Sequence, residues 1–177
     1  MINKVIVMPR QTADQFIHGL SITNNAKKFC FISLWGDEGP LVMQDKVAKL
    51  KQFGCVGMLS MEFWDITPEN YDPVVKRFPK AVLFNEEHAK TIVNFLKGMQ
   101  ADVREFPLIV HCAAGISRSG AVGLFTADLC RLDMDKFEKQ NPHIMPNPHI
   151  YRLLRKEAGL VNDGSAFRVI DNRTVKL

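Results

Sequence analysis

Phe106-Pro107-Leu108-Ile109-Val110, then His111-Cys112-Ala113-Ala114-Gly115-Ile116-Ser117-Arg118-Ser119-Gly120, then Ala121-Val122-Gly123-Leu124-Phe125-Thr126-Ala127 reads as a buried strand, a glycine-punctuated loop and a helix. A loop that opens a helix ends among N–H groups with no intrahelical partner, and these together with the helix dipole make an anion site. A cysteine opening such a loop stands beside partial positive charge, which favours its thiolate. An arginine closing it supplies a planar fork of donors suited to the oxygens of a phosphate. Sulfur nucleophile, amide cradle and guanidinium together describe phosphate-ester chemistry.

Outward from this segment, strands and helices alternate. Lys4 to Met8 reads as a short buried strand ended by Pro9-Arg10, and Thr12 to His18 as a helix turn or two. Lys28 to Leu34 is a second strand, stopped by the loop Trp35-Gly36-Asp37-Glu38-Gly39-Pro40. An amphipathic helix follows from Val42 to Phe53 with Gly54 placed to end it, and then a third strand from Val56 to Phe63. The prolines Pro68, Pro73 and Pro79 punctuate the next stretch, which reads as an ordered surface segment with at most short helical turns. Asn85 caps a helix from Glu86 to Leu96 that Lys97-Gly98 closes. Beyond the central loop come an apolar helix from Ser119 to Leu132 and a short one from Met134 to Lys139. A proline-bounded linker from Asn141 to Pro148 leads to a last helix from Ile150 to Ala158, stopped by Gly159. The strands lack polar alternation, so the expected fold is a single α/β domain. Its central, mostly parallel sheet has about four to five strands flanked by helices, with the phosphate-binding loop between the last strand and a buried helix. Ligands bind such sheets off the carboxyl ends of the strands, where the loop after Val110 sits.

The 177 residues suffice for one domain that buries about 70% of its unfolded surface. Lys and Arg total 23 against 19 Asp and Glu, a net charge of +4 that suits phosphorylated substrates. The bases are scattered, which gives nucleic-acid binding little support. The start Met1-Ile2-Asn3-Lys4-Val5-Ile6-Val7-Met8 is too short an apolar run for a signal peptide, and no run spans a membrane. The expectation is a soluble cytoplasmic protein with reduced thiols. His18, His88, His143 and His149 show no metal-ligand spacing, so no metal or other cofactor is expected.

The loop resembles the protein-tyrosine-phosphatase signature: His-Cys, two residues, Gly, two residues, Arg, then Ser or Thr. His111, Cys112, Gly115, Arg118 and Ser119 occupy those places. The strand, loop and helix context is what such a motif demands. The rest of the chain is similar to the compact dual-specificity type, found among others in bacterial and phage proteins, and residues 1–177 are expected to form one catalytic domain. The resemblance implies that Cys112 attacks phosphorus and forms a phosphocysteine that water hydrolyses. Arg118 binds two phosphate oxygens, the N–H groups of Ala113, Ala114, Gly115, Ile116, Ser117 and Arg118 complete the cradle, and Ser119 donates to the sulfur. His111 orients the loop through backbone hydrogen bonds or is a structural histidine. The implied partners are phosphorylated proteins or peptides, with phosphate- or sulfate-type anions held in the loop.

The leaving oxygen needs a proton, which an upstream Asp supplies in this family. Asp65 is the first choice because it follows a strand, ahead of Asp72, Asp37 and Glu86. The chain departs from the common pattern here: it has no Trp-Pro-Asp triplet, and the proline-bearing stretch to Pro79 reads as an insertion that lengthens the separation from Cys112. Trp35, Trp64 and Tyr71 are candidate pocket walls. Cys30 and Cys55 read as core thiols, with a protective disulfide to Cys112 as the functional alternative. The leading function is hydrolysis of phosphotyrosine in proteins, extending to phosphoserine and phosphothreonine. Rivals are a phosphatase for RNA 5′ ends or phosphoinositides, a phosphoresidue-binding module and thiol-based arsenate or sulfur transfer. Lysine is missing among Ala113, Ala114, Ile116 and Ser117, which speaks against the lipid, and the signature spacing speaks against the last.

Overall fold

The computed structural model describes residues 1–20 and 28–160. The expected single-domain span of 1–177 therefore extends partly outside the described residues. In chain order the elements are β1 (Ile2–Pro9), α1 (Arg10–Gly19), β2 (Phe29–Trp35), α2 (Gln44–Gln52), β3 (Cys55–Glu62) and α3 (Pro68–Arg77). They continue with α4 (Glu86–Gln100), β4 (Phe106–Cys112), α5 (Arg118–Leu129), α6 (Met134–Gln140) and α7 (Pro148–Ala158). The four strands form one all-parallel sheet in the order β1-β4-β2-β3, as expected of an α/β domain. Its apolar strands are covered on both faces, which is why they lack alternation.

Successive side chains of β4 serve the two covers. Leu108, Val110 and Cys112 join the core beneath α4, α5 and α7, whereas Ile109 joins Phe29, Phe31 and Leu50 beneath α1 and α2. The first ten residues of α5 are buried throughout, so this helix has no polar face. β1 is an edge strand, and its free side is met by Asn141, the C-cap of α6. The Asn141 Oδ1 accepts from the Val7 N–H at 3.0 Å, and its Nδ2 donates to the Phe137 carbonyl at 2.9 Å. That side-chain amide occupies the place of another strand.

Two elements differ from expectation. The segment after β3 holds a regular ten-residue helix, α3. Pro68 stands at its first turn, where the missing N–H costs nothing, and the Thr67 N–H donates to Asn70 Oδ1 at 2.7 Å. Pro73 removes one helical bond without ending the helix. Likewise α4 runs through Lys97-Gly98 to Gln100, because Met99 packs against Gly57 of β3, leaving no room there for a Cβ. Gly159 does end α7, in the left-handed conformation at φ +72°. Among the described residues no helix is long and apolar enough to cross a membrane.

Candidate active site

Because all four strands run parallel, the segments that follow them emerge at one edge of the sheet. There β1 delivers Arg10, β2 the loop with Gly36 and Glu38, β3 the stretch Phe63-Trp64-Asp65, and β4 Cys112 with its loop. Cys112 is 2% exposed at the end of β4. Its Sγ lies 3.1 Å from the Ser119 Oγ on the first turn of α5. Gly115 adopts φ +73°, and a Cβ there would lie 2.4 Å from the backbone N of Pro9, so the loop turns hard against the end of β1. Further backbone bonds clamp the loop from outside: Arg10 N to Ala113 O at 3.1 Å, Met145 N to Ile116 O at 3.1 Å and Asn147 N to Ser117 O at 3.3 Å.

Arg118 closes the loop and is 5% exposed. Its Nη1 donates to the Phe63 carbonyl at 3.1 Å and its Nη2 to Glu38 Oε1 at 3.0 Å. Glu38 is itself held by the Gly36 N–H, which donates to its Oε2 at 3.1 Å. Gly36 lies close beneath the guanidinium: a Cβ there would meet Arg118 Nη1 at 3.1 Å and the Trp64 ring at 3.3 Å, so either side chain would have to give by a few tenths of an ångström. Asp65 is exposed, and its Oδ1 accepts from Ser117 Oγ at 2.7 Å and from Asn147 Nδ2 at 2.9 Å. His111 faces away from Cys112, toward α1 and α2, with Nε2 2.8 Å from Ser33 Oγ on β2. Burial pushes its imidazole down to about 4, which leaves it neutral at physiological pH.

A cysteine thiol, a fork of donors and a carboxylate thus converge on one loop at the carboxyl edge of a parallel sheet. The family model for protein-tyrosine phosphatase matches residues 82–161, which contain that loop. Over those residues the chain is similar to protein-tyrosine phosphatases. Among solved structures, Tk-PTP in the active form matches this chain with a TM-score of 0.51 and 13% identity, covering 90% of this chain and 94% of that one. At that identity the likeness is one of fold. Human DUSP28 matches at a TM-score of 0.49 and 17% identity, covering 88% and 92%. The core catalytic domain of the PP-IP phosphatase SIW14 from S. cerevisiae, in complex with citrate, matches at 0.39 and 13%, covering 98% and 88%. No curated protein is a significant sequence match.

Within this site the expected residues fall unequally. Cys112, Ser119 and Arg118 are adjacent in space, and Ala113, Ala114, Gly115, Ile116 and Ser117 form the loop between them. Of the four candidate acids, Asp65 is the one hydrogen-bonded to the loop. Glu86 pairs with Lys156 at 2.7 Å, Asp72 lies exposed on α3, and Asp37 is exposed in the β2 loop. The buried His111 ring has Ser33 on the neighbouring strand as its side-chain partner and a backbone hydrogen bond at Cys112, so both of its expected roles stay open. Trp64 walls the Arg118 side and packs on Phe78 of the α3 terminus at 5.2 Å, whereas Trp35 donates to Ser60 on β3 at 3.2 Å.

A disulfide between Cys112 and either core thiol is excluded by register. Cys30 sits opposite Leu108, and four residues at about 3.3 Å each separate that point from Cys112, roughly 13 Å against a Cα reach of about 7 Å. Cys55 lies opposite Phe29, further still from the carboxyl edge. Burial pushes the Cys30 thiol well up and that of Cys55 to about 11, as expected of inert core thiols. Glu38 and Asn147 escaped the sequence reading. For Asn147 the available signal was Asn-Pro before a helix, an N-cap; for Glu38 it was an acid in a Gly/Pro loop at a strand end.

Proposed function

We propose that the chain hydrolyses phosphotyrosine monoesters in proteins, and phosphoserine or phosphothreonine more slowly, as a compact dual-specificity-like phosphatase. The observation that carries this reading is the hydrogen bond from Ser117 to Asp65, which brings a carboxyl group to the loop that also holds Cys112 and Arg118. In the first step the Cys112 sulfur bonds to phosphorus as the bond to the tyrosyl oxygen breaks. Asp65 gives its proton to that oxygen. The Arg118 fork and the loop N–H groups hold the equatorial oxygens, where charge accumulates. In the second step water attacks phosphorus, Asp65 takes its proton back, and the sulfur leaves while Ser119 donates to it.

The test is hydrolysis of a phosphotyrosine peptide, a phosphoserine peptide, a 5′-triphosphate RNA and phosphoinositides in metal-free buffer by wild type and Cys112→Ser. The phosphotyrosine peptide should be the best substrate, and Cys112→Ser should lose all detectable turnover. Turnover surviving in Cys112→Ser would overturn the mechanism. Preference for the RNA or the lipid would overturn the substrate class while leaving the chemistry intact.

A further inference from the structure

We propose that Ser117 and Asn147 are positioning residues for the proton donor, fixing which oxygen of Asp65 carries the transferred proton. The proposal rests on the reading of Asp65 as that donor. Both hydrogen bonds converge on one atom: Ser117 Oγ donates to Asp65 Oδ1 at 2.7 Å and Asn147 Nδ2 donates to the same Oδ1 at 2.9 Å. An oxygen that already accepts twice has no room to hold a proton without losing one of these donors. The proton therefore sits on Oδ2, and the acid delivers it from there as the bond to phosphorus breaks. After the transfer, the same two donors stabilise the carboxylate until water returns the proton to Oδ2.

The direction of each donor is fixed from elsewhere in the fold. Asn147 caps α7, its Oδ1 accepting from the N–H groups of His149 at 3.0 Å and Ile150 at 3.3 Å. With the oxygen committed to the helix, the amide nitrogen can only turn the other way, toward Asp65. Ser117 lies within the loop, next to Arg118, and its carbonyl accepts from the Asn147 N–H at 3.3 Å. The three residues therefore close a triangle that ties the segment after β3, the Cys112 loop and the start of α7 together. An exposed carboxylate held by two donors from separate segments is an unusual expense for a merely solvated loop residue. It fits an acid that must stand in register with the loop.

The experiment compares kcat/KM on phosphotyrosine with kcat/KM on p-nitrophenyl phosphate, whose leaving group departs without a proton, for wild type, Asp65→Asn, Ser117→Ala, Ser117→Thr and Asn147→Ser; this parameter reports the cleavage step and leaves out the hydrolysis of the phosphocysteine that both substrates share. Asn147→Ser keeps a helix-capping oxygen and removes the amide donor, and circular dichroism monitors folding. Damage to the cradle lowers both rates alike, whereas a misplaced acid lowers the ratio of the first to the second. Asp65→Asn should reduce the ratio about 100-fold. Ser117→Ala and Asn147→Ser should each reduce it about tenfold, and Ser117→Thr should restore it. If Asp65→Asn lowers the ratio but Ser117→Ala and Asn147→Ser leave it at the wild-type value, the positioning role is wrong and the donor stands. If Asp65→Asn leaves the ratio unchanged, the donor assignment fails and this proposal fails with it. Ser117→Ala alone decides the matter if Asn147→Ser does not fold, because the Ser117 side chain lies outside the core.

Discussion

At the residue scale the site turns on how one guanidinium is held. Arg118 is almost fully buried, and its fork is aimed by two acceptors from different strand ends, the Phe63 carbonyl and Glu38. A buried charge that loses its partner is left poorly solvated and free to rotate away from the oxygens it must meet. Glu38→Ala should therefore lower kcat/KM for a phosphotyrosine peptide about tenfold. Thermal unfolding should show the domain still folded, and an unchanged kcat/KM would show that the Phe63 carbonyl suffices. The same residue marks a limit of reading from sequence. Gly36-Asp37-Glu38-Gly39-Pro40 was legible as a loop at a strand end, with Asp37 as its candidate acid. Which of two adjacent acids turns inward depends on the dihedral angles of the turn, here closed by Gly39 at φ +67°, and residue type does not encode that. The signature residues, by contrast, were legible because their spacing along the chain is itself the geometry of the loop.

At the element scale, the exposed side of β1 is supported by a buried polar side chain. Asn141 is buried and binds the Val7 N–H as well as the end of its own helix. Asn141→Ala should cost about 2 kcal/mol, since it leaves a buried N–H without an acceptor. A urea midpoint equal to that of wild type would refute this role. Helices whose apolar positions repeat regularly were legible, and so was most of α7, stopped by Gly159, although its cap at Asn147 was not. α3 was not, because its prolines were read as breaks, although Pro68 is at home in a first turn and Pro73 costs a single bond on a helix with no fully buried residue. The end of α4 was missed for the opposite reason. Gly98 is a weak stop, and the contact of Met99 with Gly57 across to β3 outweighs it, a tertiary effect that no local pattern carries.

At the scale of the whole molecule, the pH dependence of stability should follow buried His111 and half-buried His88. His111 is pushed down to about 4 and His88 is also lowered, in both cases by burial. The unfolded chain takes up protons near pH 6.5, and folded His111 resists until about pH 4, so between these values the unfolded state binds more protons. The contribution of His111, up to roughly 3 kcal/mol, is complete above pH 6.5 and is lost as pH falls toward 4. Urea midpoints measured from pH 7 to pH 4.5 should decline, and His111→Asn should flatten that slope; an identical slope in the variant would rule out His111 as its source. The fold class was legible as a whole, because buried parallel strands look alike in any order. For the same reason the order β1-β4-β2-β3 was not legible. That order joins the first strand to one more than a hundred residues later, and the loop against β1 is then closed by groups from the ends of β2 and β3 and from α7. Closing so long a connection comes late in folding. A nascent polypeptide that already displays His111 to Gly120 therefore lacks the groups that aim Arg118 and Asp65, and the assembled site is a property of the finished topology.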